Sequence, residues 1–189
     1  MSNTDARVRY TRMVIEKSFL KLLEKKPVNR ITVTELCQMA EINRATFYKH
    51  YLDIPDLLEK MEGKMLGDIR ALFRECGDIQ KAFLTMLQYA KEDFEKYAFL
   101  GSENGDRELF SKICDACFES AYPMTETNLL QFDNWQRETL HAYITYGIAG
   151  IMKSWIMNGM AQPPERVANI MVSLCKVVID GVREGRVAL

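Results

Sequence analysis

Residues 32–51, TVTELCQMAEINRATFYKHY, decide how the rest of the chain is read. Thr32 precedes an apolar-periodic run and Glu35 follows three positions later, the spacing of a capping box. Ile31 before the cap and Leu36 beyond it supply the accompanying hydrophobic staple. A first short helix therefore runs to about Ala40, Glu41-Ile42-Asn43 makes a tight turn, and Asn43 caps a second helix over roughly 44–51. On a helical wheel Phe47 and Tyr51 fall together and close a small core with Leu36, Ala40 and Ile42. Ala45 and Lys49 point the opposite way, flanked by Arg44 and Tyr48 on one side and by Thr46 and His50 on the other. This outward surface holds cations, hydroxyls and an imidazole, with no acid. It suits a helix that meets phosphates and base edges. The bland alternative is a helix-turn-helix look-alike inside a bundle.

The run I-T-V-T-E-L-C-Q-M-A-E-I-N-R-A-T-F-Y-K-H-Y, followed by D-I-P-D-L-L, resembles the N-terminal DNA-binding domain of tetracycline-repressor (TetR) family regulators. The match covers about residues 7–60, and T-F-Y-K-H-Y is its most specific part. The resemblance implies that Thr46, Tyr48, Lys49 and His50 hold operator phosphates and that Arg44, Ala45 and Tyr48 lie close to bases. It also implies that Thr32 lends its hydroxyl and helix end to a phosphate. With Asn43 at the cap, these residues form the expected DNA-binding set. Two departures stand out. Glu41 occupies a turn position where the family often has Gly, so a side chain must tolerate an awkward backbone region. Ile54-Pro55 stands where the family often has a Lys, which removes one expected phosphate clamp.

Composition fits this reading. The 189 residues are enough for one larger or two small domains, with 48% apolar and 27% charged residues. No apolar run approaches a membrane span and no signal segment opens the sequence, so a cytoplasmic location without membrane contact is expected. Residues 1–53 hold ten Lys/Arg against six Asp/Glu, whereas residues 54–189 hold 15 against 20. A basic head on an acidic body is the electrostatic footprint of a DNA-binding protein. The five cysteines read as reduced, buried thiols. Cys114 and Cys117 have redox or metal-pair spacing, but no second such pair and no nearby His; as helix positions i and i+3 they line one face.

In chain order, residues 5–26 form the first helix. Val8, Ile15, Phe19, Leu22 and Leu23 recur on one face, and Arg7, Arg9, Arg12 and Lys17 decorate its start. The arginines either touch the DNA backbone or form a solvated face. Asp53 or Ile54 caps the next helix, which carries Leu57, Leu58, Met61, Met65, Ile69 and Leu72 as a shaft between head and body. Gly63 and Gly67 on it signal close packing or a flexible shaft. Further helices are expected near 78–99, 106–121, 134–158 and 164–182, with breaks at Gly101 to Gly105, Tyr122 through Asp133 and Gly159 to Pro164, and with Gly181 and Gly185 closing the last. The fold class is all-α: a three-helix helix-turn-helix domain over 1–53, then an antiparallel helical effector-binding and dimerisation domain over 54–189.

Enzyme chemistry finds no support in the motifs, and neither a metal nor another cofactor is implied. His50 belongs to the DNA helix, His141 has no ligand partner at i+3 or i+4, and glycine-rich phosphate loops, HExxH and GxSxG are missing. The body instead holds fourteen of the nineteen aromatic residues and most of the methionines. Such a deformable interior is either solid core or the wall of a pocket, as in ligand-responsive members of the family. Candidate pocket residues are Phe83, Met86 and Tyr89 on one helix, Phe110, Cys114, Cys117 and Phe118 on the next, and Tyr143 and Tyr146 further on. Two wide apolar stripes point to a homodimer. One holds Leu140, Gly147, Ile151 and Trp155, the other Val167, Ile170, Met171, Leu174 and Val178. The expected function is transcriptional regulation, by default repression of a palindromic double-stranded DNA operator released by a small-molecule effector. The rival reading is a regulator or adaptor whose body binds a protein partner and which acts as an activator.

Overall fold

The computed structural model describes residues 3–93, 107–121 and 132–187, and every regular element among them is helical. The head contains α1 (Asn3–Leu23), a single 3-10 turn (Val28–Arg30), α2 (Val33–Met39) and α3 (Arg44–Tyr48). The body contains α4 (Ile54–Cys76), α5 (Ile79–Glu92), α6 (Arg107–Ala121), α7 (Asn134–Met157) and α8 (Pro164–Arg183). The expected extension of α5 to 99, the break at 101–105 and most of the break from Tyr122 lie outside the described residues.

In the head α1 packs on α2 and α2 on α3. Ile15, Phe19, Leu23, Leu36 and Phe47 are completely buried, and Tyr51 almost so. Val8, expected on the inward face of α1, is instead exposed, because the first turns of α1 run past the small core. Thr32 caps α2 by accepting from the Glu35 N–H at 3.2 Å. The reciprocal half of the expected capping box is not made: the Glu35 carboxylate pairs with Lys26, tying the end of α1 to α2. A charged partner outcompetes a backbone amide for that carboxylate.

Asp53, rather than Ile54, caps α4 and accepts from the Asp56 N–H at 2.8 Å. Ile54 and Leu57 are buried where α4 leaves the head, and Met65, Ile69 and Phe73 where it enters the body. Gly77, at φ 63, ends α4 in a left-handed conformation that a Cβ would strain. Gly63 and Gly67 meet nothing within 4 Å of an added Cβ, so close packing does not account for them.

In the body α4 packs on α5 and α6, α6 on α7, and α5 on α8, while α7 and α8 pair with each other. The rings of Phe73 and Phe83 meet edge to face at 5.1 Å. Ion pairs Lys112–Glu62 and Arg70–Glu119, both at 3.7 Å, cross between α6 and α4. His141, expected without a partner, faces Asp115 of α6 at 3.9 Å, a neighbour that its own helix could not reveal. The turn between α7 and α8 is held by Trp155, whose indole N–H donates to the Gln162 carbonyl at 2.9 Å. Gly181 lies inside α8, where its Cα faces Val187, so Gly185 at φ 69 is the residue that follows the helix end.

Candidate nucleic-acid interface

Asn43 is the residue from which the outward helix is built. Its Oδ1 accepts from the Thr46 N–H at 2.7 Å and from the Thr46 hydroxyl at 2.9 Å, so the cap fixes both the helix start and the Thr46 rotamer. α3 itself is shorter than the expected 44–51, and Lys49 and His50 lie in the turn that follows it. Tyr51 still donates its N–H to the Phe47 carbonyl at 3.0 Å, which keeps the helical path going. Just before the cap, Glu41 sits at φ 53, the left-handed conformation foreseen for this turn.

Arg44, Ala45, Tyr48 and Lys49 are exposed together, and Thr46 and His50 are half-buried beside them. Arg44 donates to the Tyr48 hydroxyl at 3.2 Å, with its guanidinium 5.8 Å from the centre of the same ring. Tyr48 in turn packs edge-on against buried Phe47 at 5.5 Å. A flexible cation is thus steadied by an aromatic that the core holds in place. Thr32 is exposed, and because its oxygen accepts from Glu35 its hydroxyl proton remains available to an acceptor.

His50 is held below the usual imidazole pKa by partial burial and then by the neighbouring charges of Arg12 and Lys49. Arg12, on α1, is therefore close enough to join the positive field of α3. Two supporting residues, Glu16 and Lys60, escaped the reading of the sequence, and so did the polar role of Tyr51. Tyr51 donates its hydroxyl to Glu16 of α1 at 3.1 Å, and its phenol pKa is pushed well up, first by burial and then by the Glu16 charge. Lys60 on α4 donates to the His50 carbonyl at 3.2 Å and to Asp56 at 2.8 Å, and its ammonium lies 5.5 Å from the Tyr51 ring centre. Only the Asp56–Lys60 spacing was legible beforehand, as an ordinary i, i+4 pair.

The candidate pocket residues divide. Phe83, Met86, Cys114 and Cys117 are buried, with the Cys117 thiol 3.5 Å from the Met86 sulfur. Burial pushes the Cys114 thiol up to about 12 and the Cys117 thiol higher still, so both stay protonated, as residues that merely line a helix face would. The side chains of Phe110 and Phe118 lie outside the described residues. Tyr89, Tyr143 and Tyr146 do not face the same interior, because their positions on α5 and α7 turn them outward. Tyr143 is 66% exposed and Tyr146 71%. Tyr89 and Met86 instead border an open cleft of about 400 Å³ between α4 and α5.

Each apolar stripe also divides. Leu140, Trp155, Val167 and Met171 are buried within the protomer, a correction to their expected place at a dimer face. Gly147, Ile170 and Leu174 are exposed, and Ile151 and Val178 half-buried. Tyr146, Gly147 and Ile151 border two adjoining hollows of about 760 and about 630 Å³ on the outer face of the α7–α8 pair.

Comparison with known proteins agrees with this architecture. A TetR-type family model described as a transcriptional regulator C-terminal region matches residues 77–176, more than half of the chain. The chain is 28% identical over 173 residues to YxbF, an uncharacterized HTH-type transcriptional regulator of Bacillus subtilis strain 168. That alignment covers 87% of this chain but only 44% of YxbF, so the chain spans less than half of that relative's length. Among solved structures, a TetR transcriptional regulator from Streptococcus agalactiae 2603V aligns with a TM-score of 0.67 at 17% identity, covering 91% of this chain and 97% of the other. The fatty acid degradation regulator FadR from Bacillus halodurans gives 0.64 at 12% identity, covering 92% and 96%. The dihydroxyacetone kinase operon activator DhaS gives 0.61 at 18% identity, covering 90% and 96%. At these identities the likeness shows a shared fold. The family match goes further: this chain belongs to the TetR family of transcriptional regulators.

Proposed function

We propose that the chain is a homodimeric repressor that binds a near-palindromic operator in the cytoplasm and leaves it when a small molecule enters the body. The observation that carries the reading is the exposed, acid-free surface of Arg44, Ala45, Tyr48 and Lys49, presented by a capped and core-anchored α3. Arg44 reads a base edge, steadied by Tyr48. Lys49, His50, Thr46 and Thr32 take phosphates, and Asn43 sets the helix start. Two heads related by a two-fold axis then reach major grooves about 34 Å apart, or a multiple of that distance.

The exposed apolar surface of α7 and α8 supports the dimer. Gly147 and Gly150 leave open space there into which a partner helix fits. The head spans 1–53 and the body 54–189, with α4 as the shaft between them. A ligand that displaces the body end of α4 changes the separation of the heads, and about 1.4 kcal/mol of coupling suffices for a tenfold loss of operator affinity. The second reading, an activator whose body binds a protein partner, is favoured by one observation: DhaS, of similar fold, bears the name of an operon activator. Operator selection from random duplex DNA followed by gel shifts tests the first reading. Recovery of a two-half-site sequence bears it out, and failure to enrich any sequence refutes it. A reporter driven by the selected operator then gives the sign.

A further inference from the structure

The open cleft between α4 and α5 is apolar at its floor and negatively charged at its mouth. Met65, Ile69 and Met86 are buried behind it, and Leu72 is half-buried at its wall. Around the opening stand the exposed carboxylates of Asp68, Glu92 and Asp93 and the Tyr89 ring. Among the described residues the lining holds no Lys, Arg or His. Arg70, next to Ile69 on α4, pairs with Glu119 on α6 at 3.7 Å. The cleft also lies at the C-terminal end of α5, the negative end of the helix dipole. Every electrostatic contribution from the lining therefore has one sign, while the floor rewards burial of hydrocarbon.

We propose that this cleft binds an amphiphilic organic cation, with its apolar part on Met65, Ile69 and Met86 and its ammonium among Asp68, Glu92, Asp93 and the face of Tyr89. A volume of about 400 Å³ admits one small aromatic or short-chain amine. The Tyr89 ring adds the attraction of an aromatic face for a desolvated cation. An anion meets three carboxylates and no cation among the described lining residues, and a neutral compound gains only the floor. As an identification of the effector class, the assignment rests on the regulator reading above; as a binding site, it stands without it.

Three ligands that share a hydrophobe and differ in charge test the site: 4-phenylbutyl-trimethylammonium, 4-phenylbutan-1-ol and 4-phenylbutyrate. Calorimetric titration of the full chain is expected to give the cation about tenfold tighter binding than the alcohol, with the carboxylate weakest. In the triple variant Asp68→Asn, Glu92→Gln, Asp93→Asn the cation falls to the affinity of the alcohol, which itself is unchanged. These three side chains are exposed, so the substitutions leave the core intact. Leu72→Trp narrows the cleft and weakens cation and alcohol alike. Equal binding of cation and alcohol by the parent chain overturns the proposal, and so does a triple variant that keeps the parent's affinity for the cation. Gel shifts on a selected operator, with and without the cation, keep the two ideas apart. A cation that binds in the cleft yet leaves operator affinity unchanged supports the site and removes only its role as effector.

Discussion

Replacing Leu174 by glutamate tests the dimer where the protomer gives least reason for its sequence. Leu174 is 53% exposed on α8 and borders the hollow that also holds Tyr143 and Gly147. About half of a leucine's surface is roughly 100 Å², and at about 25 cal/mol per Å² its burial against a partner contributes about 2.5 kcal/mol. A two-fold axis presents the residue twice, so about 5 kcal/mol of dimer stability rests on it, equivalent to between about three and four orders of magnitude in Kd. The glutamate adds a desolvation cost in the same direction. Within the protomer the side chain faces outward, so folding stability changes by about 0.5 kcal/mol or less. Sedimentation velocity between about 0.1 and about 50 µM reads the dissociation, and far-UV circular dichroism reads the fold. The parent is expected to be dimeric throughout and the variant monomeric over most of that range. A variant as dimeric as the parent, or a parent that is itself a monomer at micromolar concentration, refutes the assignment of this face.

The remaining predictions concern the head and the shaft. Arg44→Ala is expected to cost about 1–3 kcal/mol on the best operator and to relax preference at one position, whereas Lys49→Ala weakens all sequences alike and flattens the salt dependence by about one unit of slope. Binding titrations on matched and mismatched duplexes at several salt concentrations separate the two, and unchanged affinity in both variants sinks the interface. The depressed pKa of His50 in the free protein gives a pH signature. A phosphate favours the imidazolium, so operator binding takes up a proton and affinity rises as pH falls from about 8 to about 6. His50→Gln should flatten that rise, and a variant with the parent's pH profile shows that another group is responsible. For the free protein the sign is opposite: a histidine with depressed folded pKa contributes stability that is present above its unfolded value near 6.5 and is lost as pH falls on through the lower folded value. Gly67→Ala places its methyl in open space, so α4 should gain about 1 kcal/mol, read as a higher melting temperature; a lower one would point to a packing role that the free protomer does not contain.

Much of the fold was legible because the forces that set it are local. The caps at Thr32 and Asn43, the turn at Glu41 and the proline at the start of α8 act within four residues, and a reader of the sequence meets all the participants. The three-helix head follows from a spacing that buries Phe47 and Tyr51 on one side and leaves Arg44 and Lys49 on the other. Charge told the same story, since a basic head and an acidic body can be counted without coordinates.

What the sequence could not settle were competitions between distant partners. Glu35 had the right spacing for a reciprocal cap, yet Lys26, brought alongside by the return of the chain, takes its carboxylate. His141 looked solitary because Asp115 stands on another helix. The stripes on α7 and α8 were visible as periodicity, but their width exceeds what one neighbour covers, and only packing decides which edge is inside. Leu140, Trp155, Val167 and Met171 went into the protomer, while Gly147, Ile170 and Leu174 remained on its surface. Helical phase fixes which side chains share a face; the direction of that face depends on where the other helices come to rest, and that is a property of the whole chain.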